Sequence, residues 1–224
     1  MSPAFIFDLD GTLVDTAPDL LDALNQLMMR VDRRLINAEE LRHLVGRGAR
    51  ILIQRAFEIT GDPVDPSRLD GLFDAYFSLY EACVAEKSRP YPGVVETLTA
   101  LKAEGAKMAV LTNKPHALAE AILPAMGLAE FFPVVYGSGK RPYSKPDARL
   151  VPEVLADIGA DKAQAVMVGD SITDVETAHN GGIPAIILPY GYTPDPVETL
   201  GADALVSGFA EVPAAAARLL GKKS

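Results

Sequence analysis

The stretch that decides the fold is FIFDLDGTLVD, residues 5–15, in which three apolar residues run straight into two aspartates separated by one leucine. Together with Ala4 it reads as a short buried strand over residues 4–8. Asp8 and Asp10 then stand where the strand ends. Carboxylates beside apolar residues are costly unless a metal, a proton or a cation compensates them. The rest of the chain has to supply that partner.

After this strand, strand signals vanish for some eighty residues. Leu20, Leu24, Leu27, Met28 and Val31 recur at helical spacing behind TAPD, where Thr16 is expected to cap a helix, Pro18 suits its first turn and Asp19 its positive end. Further helices are expected over 38–45, 49–60 and 67–86, separated by turn residues in VGRG and TGDPVDP. From RPYPGV (89–94) onward the texture changes. KMAVL (107–111), VVY (134–136), AVMV (165–168), PAIIL (184–188) and ALV (204–206) are short apolar runs separated by helical patterns. Such alternation predicts an α/β fold, a doubly wound, Rossmann-like parallel sheet covered on both faces by helices. The first strand most simply joins that sheet. Residues 1–15 and 89–224 then form an α/β core, and residues 16–88 an all-helical insertion attached by two crossings, near Asp15–Pro18 and Lys87–Pro92.

At 224 residues, 49% hydrophobic and 23% charged, the chain has enough apolar content for a full core, and disorder is excluded. Thirty acidic against 21 basic residues give a net charge of −9, with no basic cluster beyond the GKKS tail, so nucleic acid and anionic membranes are not expected partners. A signal-peptide pattern and an apolar run of transmembrane length are both missing, which predicts a cytoplasmic protein. Cys83, the only cysteine, excludes an internal disulfide and reads as a packed, inert thiol. Monomer and homodimer both remain open.

In an open parallel sheet, ligands sit beyond the carboxyl ends of the strands. Asp8, Asp10, Gly11 and Thr12 follow the first strand, Thr112, Asn113 and Lys114 the second, and Gly169, Asp170, Ser171 and Asp174 the one at 165–168, while Lys145 lies in SKPD. Three carboxylates, Asp8, Asp10 and Asp170, converging at one edge repel unless a divalent cation joins them. Oxygen ligands with no histidine or cysteine among them fit Mg²⁺ better than zinc. His43, His116 and His179 fall in helical stretches away from the strand ends. With Mg²⁺ and Lys145 the site becomes a positive pocket whose natural guest is a phosphate, held also by Thr112 and backbone N–H groups near Gly11.

DLDGTLVDT, LTNKP, the lysine of SKPD and VGDSITDVETA together resemble, in order, the four motifs of the haloacid dehalogenase superfamily of phosphotransferases. The resemblance implies that Asp8 is a nucleophile forming an aspartyl-phosphate and Asp10 a general acid and base. It implies Mg²⁺ on the Asp8 carboxylate, the Asp10 carbonyl and the Asp170 carboxylate, with Asp174 orienting Lys145 or a metal-bound water. Thr112 and Asn113 would hold the phosphoryl group above the Gly11–Thr12 turn, and Lys145 would screen its charge. The insertion would be a helical cap. Ser144 and Ala148 depart from residues common around that lysine in the family.

TAPDL, RPYPGVVETL, TNKP and GYTPD resemble the phosphoglycolate phosphatases of that superfamily. LVGRGARIL (44–52) resembles their cap loop, in which Gly48 would approach the substrate and Arg47 or Arg50 would pair with a substrate carboxylate; the glycines could equally end helices, and either arginine could be an exposed charge. The expected activity is Mg²⁺-dependent hydrolysis of a small acidic phosphate monoester, 2-phosphoglycolate first. A sugar phosphate, nucleotide, pyrophosphate or mutase activity, and a non-catalytic phosphate sensor, are the alternatives.

Overall fold

The computed structural model describes residues 2–221; the two lysines of the GKKS tail lie outside them. β1 (Ala4–Phe7) leads through a tight turn to β2 (Val14–Asp15). Four helices follow: α1 (Ala17–Arg30), α2 (Ala38–Arg42), α3 (Ala49–Thr60) and α4 (Leu69–Glu81). The chain returns through β3 (Arg89–Pro90), which pairs antiparallel with β2. Then come α5 (Val94–Ala103), β4 (Lys107–Pro115), α6 (His116–Ala125), β5 (Val134–Ser138), α7 (Leu150–Asp157), β6 (Ala165–Gly169), α8 (Ile172–Gly181), β7 (Ala185–Ile187), β8 (Ala204–Leu205) and α9 (Val212–Leu219). No helix among the described residues is long and apolar enough to cross a membrane.

The six-stranded sheet has the order β5-β4-β1-β6-β7-β8, and every neighbouring pair is parallel. Alternation along the strands serves two cores at once. Phe5, Phe7, Met108, Val110, Val166 and Val168 face α5, α6 and α9. Ala4, Ile6, Ala109, Leu111, Ala165 and Met167 face α7 and α8. The doubly wound α/β architecture expected from the apolar runs is therefore the observed one. A third cluster holds the helical segment together, with Leu24, Leu27, Met28, Ile53, Phe57 and Tyr80 among its members and Leu118 of α6 joining from the sheet side.

Two local readings are corrected. Thr16 stands at the N-cap of α1 but makes no capping bond; its hydroxyl donates instead to Asp10 Oδ1 at 2.7 Å. Asp19 does more than favour the helix start. Fully buried, it accepts from Lys87 N at 2.9 Å, Ser88 N at 2.8 Å and Ser88 Oγ at 2.6 Å, tying the outgoing crossing to the returning one. The β2–β3 pair, too short to leave a periodic signal, fastens the same junction.

Candidate active site

β1 lies between β4 and β6, so the sheet's winding reverses beside its carboxyl end, where open α/β sheets bind ligands. Phe7 is in register with Val110 and Val168, which brings Asp8, Thr112 and Asp170 to one edge. The last ladder bond runs from Asp8 N to Val168 O at 2.9 Å. The chain then folds over Leu9, whose carbonyl accepts from the N–H groups of Leu13 and Val14, and turns through Gly11 at φ +83°. A Cβ on Gly11 would lie 2.6 Å from Asp170 Oδ2, so only glycine lets the turn rest against that carboxylate.

Lys145 is the hinge of the charge arrangement. Its Nζ lies 3.0 Å from Asp8 Oδ2 and 2.6 Å from Asp174 Oδ1, with 1% of its side chain exposed. Burial alone would lower its pKa, but the Asp174 and Asp8 carboxylates overcome this and hold the ammonium well above the usual lysine value. Asn113 clamps the Lys145 backbone from both sides, accepting from Lys145 N at 3.0 Å and donating to its carbonyl at 3.3 Å. Asp174 accepts from the N–H groups of Asp170 and Ser171 and from the Ser171 hydroxyl, the Ser171 N–H bond being part of a capping box at the start of α8.

Oxygens of Asp8, Asp170 and Asp174 lie within 4.8 Å of one another. Burial pushes Asp8 up to about 7, with Lys145 opposing and Asp174 and Asp10 reinforcing the rise. Burial and the neighbouring Asp174 and Asp8 charges likewise raise Asp170 well above the carboxylate range. Four carboxylates here (Asp8, Asp10, Asp170, Asp174) face two ammonium groups, Lys145 and Lys114. That imbalance of two charges, on oxygen donors alone, is the chemistry of a hard divalent cation site. Of the three clustered carboxylates, Asp174 is the one most committed to Lys145 and to the start of α8.

Asp10 sits in a separate arrangement. Thr16 Oγ1 and Lys114 Nζ both reach Asp10 Oδ1, at 2.7 and 2.9 Å, and Lys114 Nζ also donates to Tyr80 Oη at 2.5 Å. A cavity of about 40 Å³ opens between the strand ends and the helices, lined among others by Asp8, Asp10, Thr112, Asn113, Lys114 and Gly48. Gly48, at φ +88°, brings the VGRG turn over Asn113, whose carbonyl would be 3.2 Å from a Cβ there. A neighbouring cavity is lined by Arg47, Asp170, Ser171 and Tyr192.

Not every expected residue arrives at the first cavity. Thr12 is fully buried and donates to Asp170 Oδ1 at 3.1 Å, so its hydroxyl serves that carboxylate. Arg50 is turned away, paired with the exposed Asp70 and stacked 4.5 Å over Phe73. His179 pairs with Asp203, His116 lies beside Glu120, and none of the three histidines joins the acidic cluster. Burial raises the Cys83 thiol, as an inert packed cysteine requires.

Two contributors carried no sequence reading of their own, Tyr80 and Tyr192. Lys114 was placed at the strand end by the sequence, within TNKP, but without a role. Tyr80 belongs to an apolar helical stripe that reads as core. Tyr192 N donates to Asp170 Oδ2 at 2.7 Å, while its hydroxyl accepts from Thr16 N and Ala17 N and donates to Asp15 Oδ1 at 2.8 Å.

The pattern of the haloacid dehalogenase-like hydrolases matches residues 5–188. Among curated relatives, the phosphoglycolate phosphatase of Caulobacter vibrioides is 45% identical over 214 residues, 96% of this chain and 90% of that protein. That of Agrobacterium fabrum is 39% identical over 223 residues, 99% and 96% of the two chains. The crystal structure of a predicted phosphoglycolate phosphatase from Haemophilus somnus superposes with a TM-score of 0.89 at 31% identity, covering 95% of this chain and 97% of that one. With four motifs assembled at one sheet edge and relatives of this likeness along its whole length, the chain belongs to the haloacid dehalogenase-like hydrolase family and is one of its phosphoric monoester hydrolases.

Proposed function

We propose that the chain hydrolyses 2-phosphoglycolate, a small acidic phosphate ester, through an aspartyl-phosphate, with residues 16–88 serving as a helical cap on a catalytic core of residues 1–15 and 89–224. The observation that carries the mechanism is Asp8, fixed at the switch point of the sheet, 3.0 Å from Lys145 and facing a cavity it shares with Asp10. The names of the 45%- and 39%-identical relatives support the substrate.

Asp8 Oδ attacks phosphorus in line, a bond forms between them, and the bond from phosphorus to the glycolate oxygen breaks. Asp10 gives its proton to that oxygen. A water then attacks the phosphorus, Asp10 takes its proton, and the Asp8 carboxylate leaves with the phosphate freed. Thr112 and the backbone at the Gly11 turn hold the transferring oxygens, and Lys145 offsets charge that would otherwise repel the substrate from Asp8. Mg²⁺, held by Asp8, the Asp10 carbonyl and Asp170, would supply charge neutralisation at the phosphoryl oxygens when bound. Arg47, exposed on the VGRG turn, shares the lining of the neighbouring cavity with Asp170 and not that of the cavity beside Asp8, which gives no support to its pairing with the substrate carboxylate.

A panel of phosphate esters assayed by phosphate release tests the substrate. Turnover of phosphoglycolate well above that of neutral sugar phosphates, nucleotides and pyrophosphate is expected; equal rates would remove the carboxylate from the argument. Asp8→Asn, isosteric and unable to attack, should abolish phosphate release while the fold persists, and retained turnover would end the aspartyl-phosphate mechanism.

A further inference from the structure

Resting on the proposed small acidic substrate is a narrower question: what recognises its carboxylate. Among the described residues that line the cavity beside Asp8, Lys114 alone carries positive charge. Arg50 is committed elsewhere, and Arg47 opens onto the neighbouring cavity. Lys114 Nζ has three N–H donors, of which Asp10 Oδ1 and Tyr80 Oη take two. The third has no protein acceptor. Its side chain is 1% exposed, so that donor is directed into the protein and not into bulk water.

Tyr76 supplies the second observation. One turn before Tyr80 on α4, it is 1% exposed and stacks against Tyr80 with ring centroids 6.0 Å apart. Tyr76 lines the cavity, and its hydroxyl is buried with no hydrogen-bond partner in the protein. A buried hydroxyl left unpaired is costly, and a site built for a ligand is where such a group finds its partner. Its surroundings are apolar, with Leu20, Val45, Leu52 and Leu118 on the wall, which strengthens any charge-assisted bond made there.

We infer that Lys114 and Tyr76 are the receptor for the substrate's carboxylate, with the Tyr80 hydroxyl beside them, and that they determine specificity for an acidic leaving group. A carboxylate is acceptor-only and matches this set of N–H and O–H donors. The cavity limits what carries it: about 40 Å³ is less than a third of the roughly 150 Å³ that accommodates a benzene ring. A leaving group of a few heavy atoms fits; a sugar ring requires the helices to move apart.

The test compares 2-phosphoglycolate with 2-hydroxyethyl phosphate, in which a neutral CH₂OH replaces the carboxylate, in the wild type, Tyr76→Phe and Lys114→Met. Tyr76→Phe removes one oxygen and keeps the ring, so it carries the test even if Lys114→Met folds poorly. Expected is a rise in KM for phosphoglycolate of about tenfold in Tyr76→Phe with little change for the neutral ester. Lys114→Met disturbs Asp10 and lowers kcat for both esters. Its specific signature is the ratio of kcat/KM values, which should fall by a further factor of about 100 against phosphoglycolate. If the wild type prefers phosphoglycolate and both variants keep that preference, the receptor lies elsewhere and the inference fails alone. If the wild type shows no preference, the acidic-substrate reading fails and the receptor with it.

Discussion

Magnesium should stabilise this protein strongly at neutral pH and weakly in acid, and the size of the difference follows from Asp8. Burial lifts its pKa from the ordinary 3.8 to about 7. The folded state therefore binds a proton that the unfolded chain has already released, so the contribution is fully present below pH 3.8 and is lost as pH rises through 7. At ~1.4 kcal/mol per pH unit the loss amounts to about 4 kcal/mol from this group alone. Asp170, also raised, adds to it in the same direction. A divalent cation held by Asp8 and Asp170, as proposed, would replace the missing protons and restore what was lost. Of this, about 2.7 kcal/mol is lost between pH 5 and 7, and for a chain of this length ~1 kcal/mol moves Tm by about 2–4 °C, so the Mg²⁺-induced rise in Tm should be larger at pH 8 than at pH 5 by about 5–11 °C. Thermal melts at the two pH values, each with and without Mg²⁺, measure it, and taking differences cancels every group remote from the site. Asp8→Asn should flatten the pH dependence. An Mg²⁺ effect that is constant with pH, or greater at pH 5, would refute the reasoning.

Other perturbations separate the site from the scaffold. Asp170→Asn keeps the shape of a carboxylate that accepts from Tyr192 N, and its new amide can donate to the Thr12 hydroxyl; thermal melts should show it more stable than the wild type at pH 8 without Mg²⁺ and unresponsive to the ion. Asp19→Ala strands the N–H groups of Lys87 and Ser88 and the Ser88 hydroxyl, and should destabilise the fold by about 3 kcal/mol in urea titration. Tyr192→Phe removes the acceptor of Thr16 N and Ala17 N; about 1–3 kcal/mol of stability should go with it, and unchanged urea midpoints for either variant would show that the crossings are not held this way.

The sheet and the edge chemistry were legible because both leave period and position in the sequence. Apolar runs such as AVMV read as strands, and aspartates directly behind two of them read as a site. Boundaries were less legible where polar residues continue a strand: β4 extends through Thr112, Asn113 and Lys114 to Pro115, which no apolar run announces. What was hidden is long-range. Thr16 has the chemistry of a helix cap, and only the fold reveals that Asp10 outcompetes the helix for its hydroxyl. Tyr76 and Tyr80 have the spacing of core residues and are core residues, yet their hydroxyls reach the site. Arg50 has the right neighbourhood in sequence, but helical geometry sends it to Asp70 and Phe73.

One turn thus delivers two aspartates into different surroundings, and the difference is made by lysines from separate segments. Lys145, from the loop before α7, holds Asp8 together with Asp174, deep in the protein. Lys114, from the end of β4, holds Asp10 together with Thr16, on the wall that faces the helices. The two cations offset, without removing, the repulsion by which the Asp10 carboxylate adds to the rise of Asp8. Giving each its own cation would let the proposed nucleophile and the proposed proton carrier stand two residues apart. Because Lys114 is itself bonded to Tyr80 of α4, Asp10 is tied through it to the helical segment. On the proposed mechanism, attack would then be set by the rigid sheet, and protonation by the fit of what departs.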